Sequence, residues 1–279
     1  INGNPSQIDS SPQIINNRIF VPIRFISQAY NYEIMWNPSE ATVYVNTKSY
    51  DDSDFEFNLF NHLRSDSNVF FSPFSVRVAL AMAANGAQGA TLEEIINTIG
   101  IKDLNQYNEK TMNLLDVLNK NDKVKMHIAN SIWLNKDSHP NKQIKFDDVY
   151  AQKINKYYYG EAREVYHKNA VESINNWVSE KTEKKINKMV IQSNFLIALA
   201  NTIYFKGEWQ SPFITQNTTK RTFTDKSNNK QDIDFMYQVE SFKYYEDDEC
   251  QAVCLPYKDN RISMYVLLPK SDEMGINAA

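Results

Sequence analysis

The sequence predicts an α+β fold, and three observations carry that prediction. Amphipathic stretches of helical period run from Asp54 to Ile186, and short β-like segments dominate from Phe195 to Leu268. Helices grouped ahead of strands point to α+β rather than to a regularly alternating parallel sheet. Phe195 to Phe205 is an apolar run broken only by Asn201 and Thr202, which reads as a strand covered on both faces at the centre of a large sheet. Lys125 to Leu134 alternates, with Met126, Ile128, Asn130, Ile132 and Leu134 on one face, and reads as a strand able to lie beside it.

Taken in order, residues 1–12 are polar and turn-rich and read as a linker or frayed end. Residues 13–48 form a small α+β module. Ile14-Ile15, the turn Asn16-Asn17 and Ile19 to Val21 predict a hairpin, and Pro22 opens a helix with Ile23, Ile26 and Ala29-Tyr30 inward. Tyr32 to Trp36 and Thr42 to Val45 predict two strands joined at Asn37-Pro38.

The acidic connector Tyr50 to Asp54 leads into a helix capped by Asp54 and carrying Phe55, Leu59, Phe60 and Leu63. Asn68 to Phe71 reads as a short strand ending in Ser72-Pro73, after which Ser75 caps an apolar helix from Val76 to Ala84. Asn85-Gly86 stops that helix. Thr91 to Glu94 is a capping box for a helix that reaches Ile99 and ends at Gly100. Leu104 to Asn119 is amphipathic, with Tyr107, Leu114, Leu115 and Leu118 inward. Helices are also predicted over 144–157 and 170–186, and short strands over Thr222–Thr224, Ile233–Met236, Phe242–Tyr245, Ala252–Leu255 and Ser263–Leu268.

Composition excludes several functions. A length of 279 residues, 42% hydrophobic and 23% charged, describes a globular chain with a sizeable core. The net charge of -4 provides no basic field for nucleic acid or an anionic membrane. No apolar run reaches the roughly 18 residues that a membrane-spanning helix needs. The chain opens on Ile1, which reads as a mature or excised piece. Glycines number seven, and no GxGxxG, Walker or GxSxG pattern occurs. Cys250 and Cys254 stand four apart along a strand-like segment, too far for a mutual disulfide.

His62, His127, His139 and His167 fall in separate elements without metal-ligand spacing, so no cofactor or metal site is expected. The acidic run Glu246 to Glu249 and the lysines at 181, 184, 185 and 188 read as solvated faces. Nothing assembles a nucleophile, a base and an oxyanion hole, so the residues do not describe an enzyme. Asn201 stands apart: a buried amide must find partners, which makes it either a structural hydrogen-bond hub or part of a site.

Two resemblances follow from longer motifs. NNRIFVPIRFISQAYNYEIMWNPSEATVYV resembles part of the stalk or copper-amine-oxidase N-terminal-like domain of bacterial cell-surface proteins. That resemblance implies an extracellular or wall-associated setting with cell wall as a possible partner; with no His or Cys ligand in the segment, no copper is expected. From residue 52 to 279, NVFFSPFSVRVALAMAANGAQGATLEEI, NSIWLNKD, NTIYFKGEWQSPF, TTKRTF and VCLPYKDNRISMYVLLPKS occur in register and resemble a serpin.

The serpin resemblance implies three β-sheets with eight or nine helices, truncated here before the reactive-centre loop. It implies that Ser72, Ser75 and Asn201 form a hydrogen-bonded shutter beneath the large sheet, and that Trp209 is the breach aromatic where insertion begins. Its expected partner is a serine or cysteine protease, trapped when a cleaved loop inserts as a new strand. A non-inhibitory serpin, or a cell-surface binding protein, is the alternative. The chain taken alone lacks a bait loop and is expected to inhibit nothing.

Overall fold

The computed structural model describes the strand residues 13–15, 18–20, 32–37 and 42–47, and residues 53–270 except 66, 121–122, 140, 190–191, 226 and 260. The chain packs as two compact units, Ile1–Phe70 and Phe71–Ala279.

In the first unit, β1 (Gln13–Ile15) pairs antiparallel with β2 (Arg18–Phe20), and β3 (Tyr32–Asn37) with β4 (Thr42–Thr47). Both predicted hairpins are present; the helix expected after Pro22 lies outside the described residues. Helix α1 spans Ser53–Leu63.

The strand expected over Asn68 to Phe71, where the two units meet in sequence, is absent from the described residues. That segment is irregular: among the described residues no strand pairs with it, and Phe70 is fully exposed. Helix α2 spans Pro73–Ala84, and its cap is Ser72 rather than Ser75. Pro73 takes the first turn, where its missing N–H costs nothing, and the Ser72 hydroxyl accepts the Ser75 amide at 3.2 Å. Helix α3 (Gly89–Thr98) starts two residues before the expected box and has no side-chain cap. Gly100, at φ +67°, terminates it in the left-handed conformation that suits glycine.

Helix α4 (Leu104–Asn119) is capped by Asp103 and buries Asn108, Thr111 and Leu115. Leu114, expected inward, is exposed: the buried stripe runs through 108, 111 and 115, three and four residues apart, one position to its side. Helix α5 is Asp148–Tyr158, and α6 is His167–Lys181, several residues short of the expected end. Glu183 and Lys184 follow at φ 49° and 61°, so the chain turns left-handed immediately after α6. Thr182 donates to the Val178 carbonyl at 2.7 Å and accepts from the Ile186 amide at 3.1 Å. The Glu183 carboxylate accepts from the Lys125 ammonium.

One three-stranded sheet organises this unit. Its order is β6-β5-β7, with β5 (Val124–Asn135) in the middle. β5 runs antiparallel to β7 (Ile197–Gly207) over eleven facing pairs, from Val124 opposite Gly207 to Leu134 opposite Ile197. β6 (Gly160–Val165) lies parallel to β5 on the other side.

The pairing of the two expected strands is therefore present, but the central placement of the apolar run is not. β7 occupies an edge among the described residues, Phe195 and Leu196 precede it, and Ile197, Ile203 and Phe205 are substantially exposed. Apolar composition on both faces anticipated a neighbour that the described residues do not provide. β6, with the sequence GEAREV, was not anticipated, since its charges mask any strand alternation.

Two faces of this sheet are packed. Trp133, Val165, Ala170, Ile174, Trp177, Val178 and Ala200 form a core between the sheet and α6. Trp133 and Trp177 meet edge to face at 6.3 Å. α2 packs against β7, and α4 and α5 pack against β5 and β6.

The remaining strands are short, as expected. β8 (Thr219–Thr224) and β9 (Lys230–Phe235) form a hairpin; β10 (Lys243–Glu246), β11 (Cys250–Pro256) and β12 (Ser263–Pro269) form a meander. Cys250 and Cys254 are both free thiols on β11.

Candidate functional site

The site grows from one apolar strand that carries an amide. Side chains alternate along β7, so Asn201 shares a face with Leu199 and Ile203, and its partner across the pair is Asn130. Asn130 is completely buried. The Nδ2 of Asn201 donates to the Asn130 Oδ1 at 2.6 Å, and the Nδ2 of Asn130 donates to the Tyr158 carbonyl at 2.8 Å. That carbonyl ends α5, where a helix leaves its last carbonyls without intrahelical partners. Asn130 thus satisfies a helix end and a neighbouring strand with one side chain.

Ser72 and Ser75 stand at the start of α2, both half-buried. The Ser75 hydroxyl donates to the Ser72 hydroxyl at 2.9 Å. Among the described residues no hydrogen bond joins this serine pair to Asn201. The structure brings α2 onto β7 but leaves two separate polar pairs, Ser72–Ser75 and Asn130–Asn201. No direct bond among the described residues joins the three residues expected to form the shutter; the partner of Asn201 is Asn130, which the sequence did not single out. It was counted within the alternating face of its strand; the signal was the same as for Asn201, a lone carboxamide on an apolar strand face.

Behind the amide pair lies a second polar cluster. Tyr158 is fully buried, and burial pushes its hydroxyl pKa up. Its hydroxyl donates to the Asn108 Oδ1 of α4 and accepts from the Asn85 Nδ2 at 3.2 Å. Asn85 and Asn108 exchange amide bonds of 2.8 and 3.0 Å. Sequence reading took Asn85 only as a helix stop and did not single out Asn108.

Trp209 lies just beyond β7. Its ring stacks on Tyr257 at 4.4 Å and 12°, and meets Phe213 edge to face at 6.1 Å. Phe205 completes the group, 4.9 Å from Tyr257. The Gln210 amide donates to the Pro256 carbonyl at 2.9 Å, and the Lys258 amide to the Glu208 carbonyl at 2.9 Å. These bonds join the end of β7 to the end of β11. Gly207 permits it: a Cβ there would come within 2.7 Å of the Tyr257 ring. Asn201 and Trp209 therefore occupy different parts of one strand-and-exit segment.

None of the four histidines joins these residues. His167 contacts the Ser193 hydroxyl at 3.1 Å, and His127 lies beside the Tyr204 ring at 6.1 Å. No group of three or more His, Cys, Asp or Glu among the described residues can hold a metal ion. What the seam can do is conformational: it offers small reorientable amides and hydroxyls beneath an edge strand.

Comparison with known proteins agrees with this geometry. The sequence model of the family described as Serpin (serine protease inhibitor) matches residues 51–278, and that of the Copper amine oxidase N-terminal domain matches residues 1–57. Residues 1–57 contain neither imidazole nor thiolate, the donors copper favours, so they do not fit the metal in that name.

An "Uncharacterized serpin-like protein" of Methanosarcina acetivorans is 32% identical over 232 residues, covering 79% of this chain and 53% of its own. The "Leukocyte elastase inhibitor" of Xenopus tropicalis is 32% identical over 232 residues, covering 77% and 59%. Among solved structures, the thermophilic serpin tengpin in its latent state aligns at TM-score 0.72 and 29% identity, covering 82% of this chain and 62% of that one. Thyroxine-binding globulin in complex with thyroxine aligns at TM-score 0.72 and 26% identity, covering 80% and 63%. The chain spans somewhat more than half the length of these curated relatives. The family match over residues 51–278, with relatives 32% identical, places this chain in the serpin family.

Proposed function

We propose that this chain is the sheet-bearing portion of a serpin that inhibits serine or cysteine endopeptidases by accepting its own cleaved loop as a strand beside β7. The observation that carries the reading is that, among the described residues, β7 stands at the edge of its sheet with Asn201 half-buried along it. An unpaired strand offers a row of N–H and C=O groups to any incoming strand. Serpin loop insertion is itself a standard example of strand addition and released strain. The Asn130–Asn201 pair suits such an edge, because amides can exchange partners as the sheet rearranges. Inhibition of this type depends on a native state held by a kinetic barrier, and the protein acts by binding a protease rather than by turning over a substrate.

A secreted or surface-attached setting belongs to the same reading. It rests on the resemblance of residues 13–48 to a stalk-like domain of bacterial cell-surface proteins, within the stretch that the Copper amine oxidase N-terminal domain matches, with the cell wall as the partner of that segment. Retention of residues 1–57 on purified cell wall supports that partner, and free elution rejects it.

The test of inhibition is incubation of the complete parent protein with a panel of serine and cysteine endopeptidases. A band at the summed mass that survives boiling in detergent supports the trap. Cleavage to fragments with no such band rejects it. The similarity to thyroxine-binding globulin favours a second reading, a serpin serving as a carrier of small molecules. Cleavage without complex formation, together with saturable binding of a hydrophobic ligand, selects that reading.

A further inference from the structure

The buried cluster behind the amide pair has a role of its own. Tyr158 takes part in the seam twice. Its main-chain carbonyl receives Asn130, which in turn receives Asn201 on the edge strand. Its side-chain hydroxyl is fixed by Asn108 on α4 and by Asn85 just past α2. Asn85 is held in turn, since its Nδ2 also donates to the Ala81 carbonyl at 2.9 Å. Three helices and two strands are therefore linked through one residue at the end of α5.

The turn that follows Tyr158 has little freedom. Tyr159 is left-handed at φ 49°, and Gly160 sits where a Cβ would lie 2.6 Å from the Ile154 Cγ2 and 3.3 Å from the Ile154 carbonyl. Gly160 is also the β6 residue opposite Asn130. The position of the Tyr158 carbonyl is thus set by the anchored hydroxyl on one side and a close-packed glycine on the other. Asn130 is completely buried, so no water can replace a displaced carbonyl without opening the interior.

We propose that Tyr158 is a positioning residue for the Asn130–Asn201 pair, coupling the packing of α2, α4 and α5 to the seating of β7 against β5. The inference concerns this chain's own sheet and holds independently of protease inhibition. Loss of the hydroxyl alone lets the end of α5 shift, lengthens the bond from Asn130 and loosens Asn201, although nothing that touches β7 has been altered. Buried networks of this kind are tightly coupled because each member has few alternative partners.

Amide hydrogen exchange on Tyr158→Phe tests it, read peptide by peptide. The expected result is at least fivefold faster exchange over β7, with β10–β12 within twofold of the unaltered chain. Tyr159→Phe is the control: its hydroxyl bonds the exposed Asp116 at 2.8 Å, and β7 should not respond. In an Asn130→Ala background, Tyr158→Phe should add no further acceleration over β7. Acceleration confined to α2, α4 and α5, acceleration uniform across the unit, or additivity with Asn130→Ala each overturns the proposal. Should Tyr158→Phe not fold, Asn85→Ala decides by the same reading. Asn85 is only half-buried, so this variant is expected to fold and to speed β7 exchange at least threefold; unchanged β7 exchange overturns the proposal.

Discussion

Asn201 donates to Asn130 at 2.6 Å across the β5–β7 pair, and the two residues face one another in register. Asn130 is fully buried while Asn201 is half-buried on the edge strand. That asymmetry sets the order of two substitutions. Asn130→Ala leaves both the Tyr158 carbonyl and the Asn201 amide unpaired, at about 1–3 kcal/mol for each buried group left unsatisfied. Asn201→Ala removes one partner from a site with some access to water, and its cost is expected at the low end, about 1 kcal/mol. Urea unfolding of the two variants checks this; an equal or reversed order contradicts the asymmetry.

Gly160→Ala is expected to destabilise by about 1–3 kcal/mol, the usual penalty for overpacking a filled core. The new methyl would meet the Ile154 Cγ2 at 2.6 Å and the Ile154 carbonyl at 3.3 Å, and neither is the far end of a flexible side chain. Gly89 has no atom within 4 Å of the same hypothetical methyl, but its φ of +56° makes alanine strained for a different reason. Thermal unfolding of Gly160→Ala, with Gly160→Ser as a larger step, should show a graded loss.

Trp177→Ala should be among the most damaging changes in the α6 core, at about 3–5 kcal/mol. The indole is buried, packs edge to face on Trp133 and donates from Nε1 to the Glu161 carboxylate at 3.1 Å. Trp177→Phe keeps part of the packing but strips Glu161 of that donor, so it should fall between. Denaturant midpoints of the three proteins give the ranking.

Glu246 provides a pH signature. Its carboxyl is lowered from 4.5 to about 2, first by the hydrogen bond from Lys270 and then by Tyr244. A depressed folded-state pKa means that its stabilising contribution is complete above the unfolded value near 4.5 and is lost as pH falls from there towards about 2. The pair is solvent-exposed, so salt should weaken the effect. Carboxyl titration followed by NMR should show Glu246 moving upward in Lys270→Met; an unmoved curve would remove Lys270 as the main cause.

Helical and strand periods in this sequence were clear where one face packs and the other is wet. The pairing of β5 with β7, the stop at Gly100 and the separate strands β10, β11 and β12 were legible for that reason, though not the meander that joins them. Three things were hidden. β6 carries Glu161, Arg163 and Glu164 because, among the described residues, it lies at a sheet edge where its charges make ion pairs, such as Lys181 with Glu161 at 3.0 Å. β7 reads as interior because apolar residues record what a strand is built to meet, not whether a neighbour stands there. Asn85 and Asn130 were read only as a helix stop and a strand-face residue, and Asn108 not at all, because an amide buried by tertiary contacts looks like a solvated one in a linear text. Ser72 and Ser75 were singled out as shutter residues by resemblance alone, and in the structure each is the other's direct partner.

The left-handed pair Glu183 and Lys184 leaves this chain with an evolutionary tension. Glycine would adopt those angles at no steric cost, so random drift towards it should be well tolerated by the backbone. The same change at position 183 would delete the carboxylate that receives Lys125 from the middle strand, untying the tail of α6 from the sheet it covers. Homologues that carry glycine there should compensate with a different tether, and those that keep an acid should keep a base at position 125.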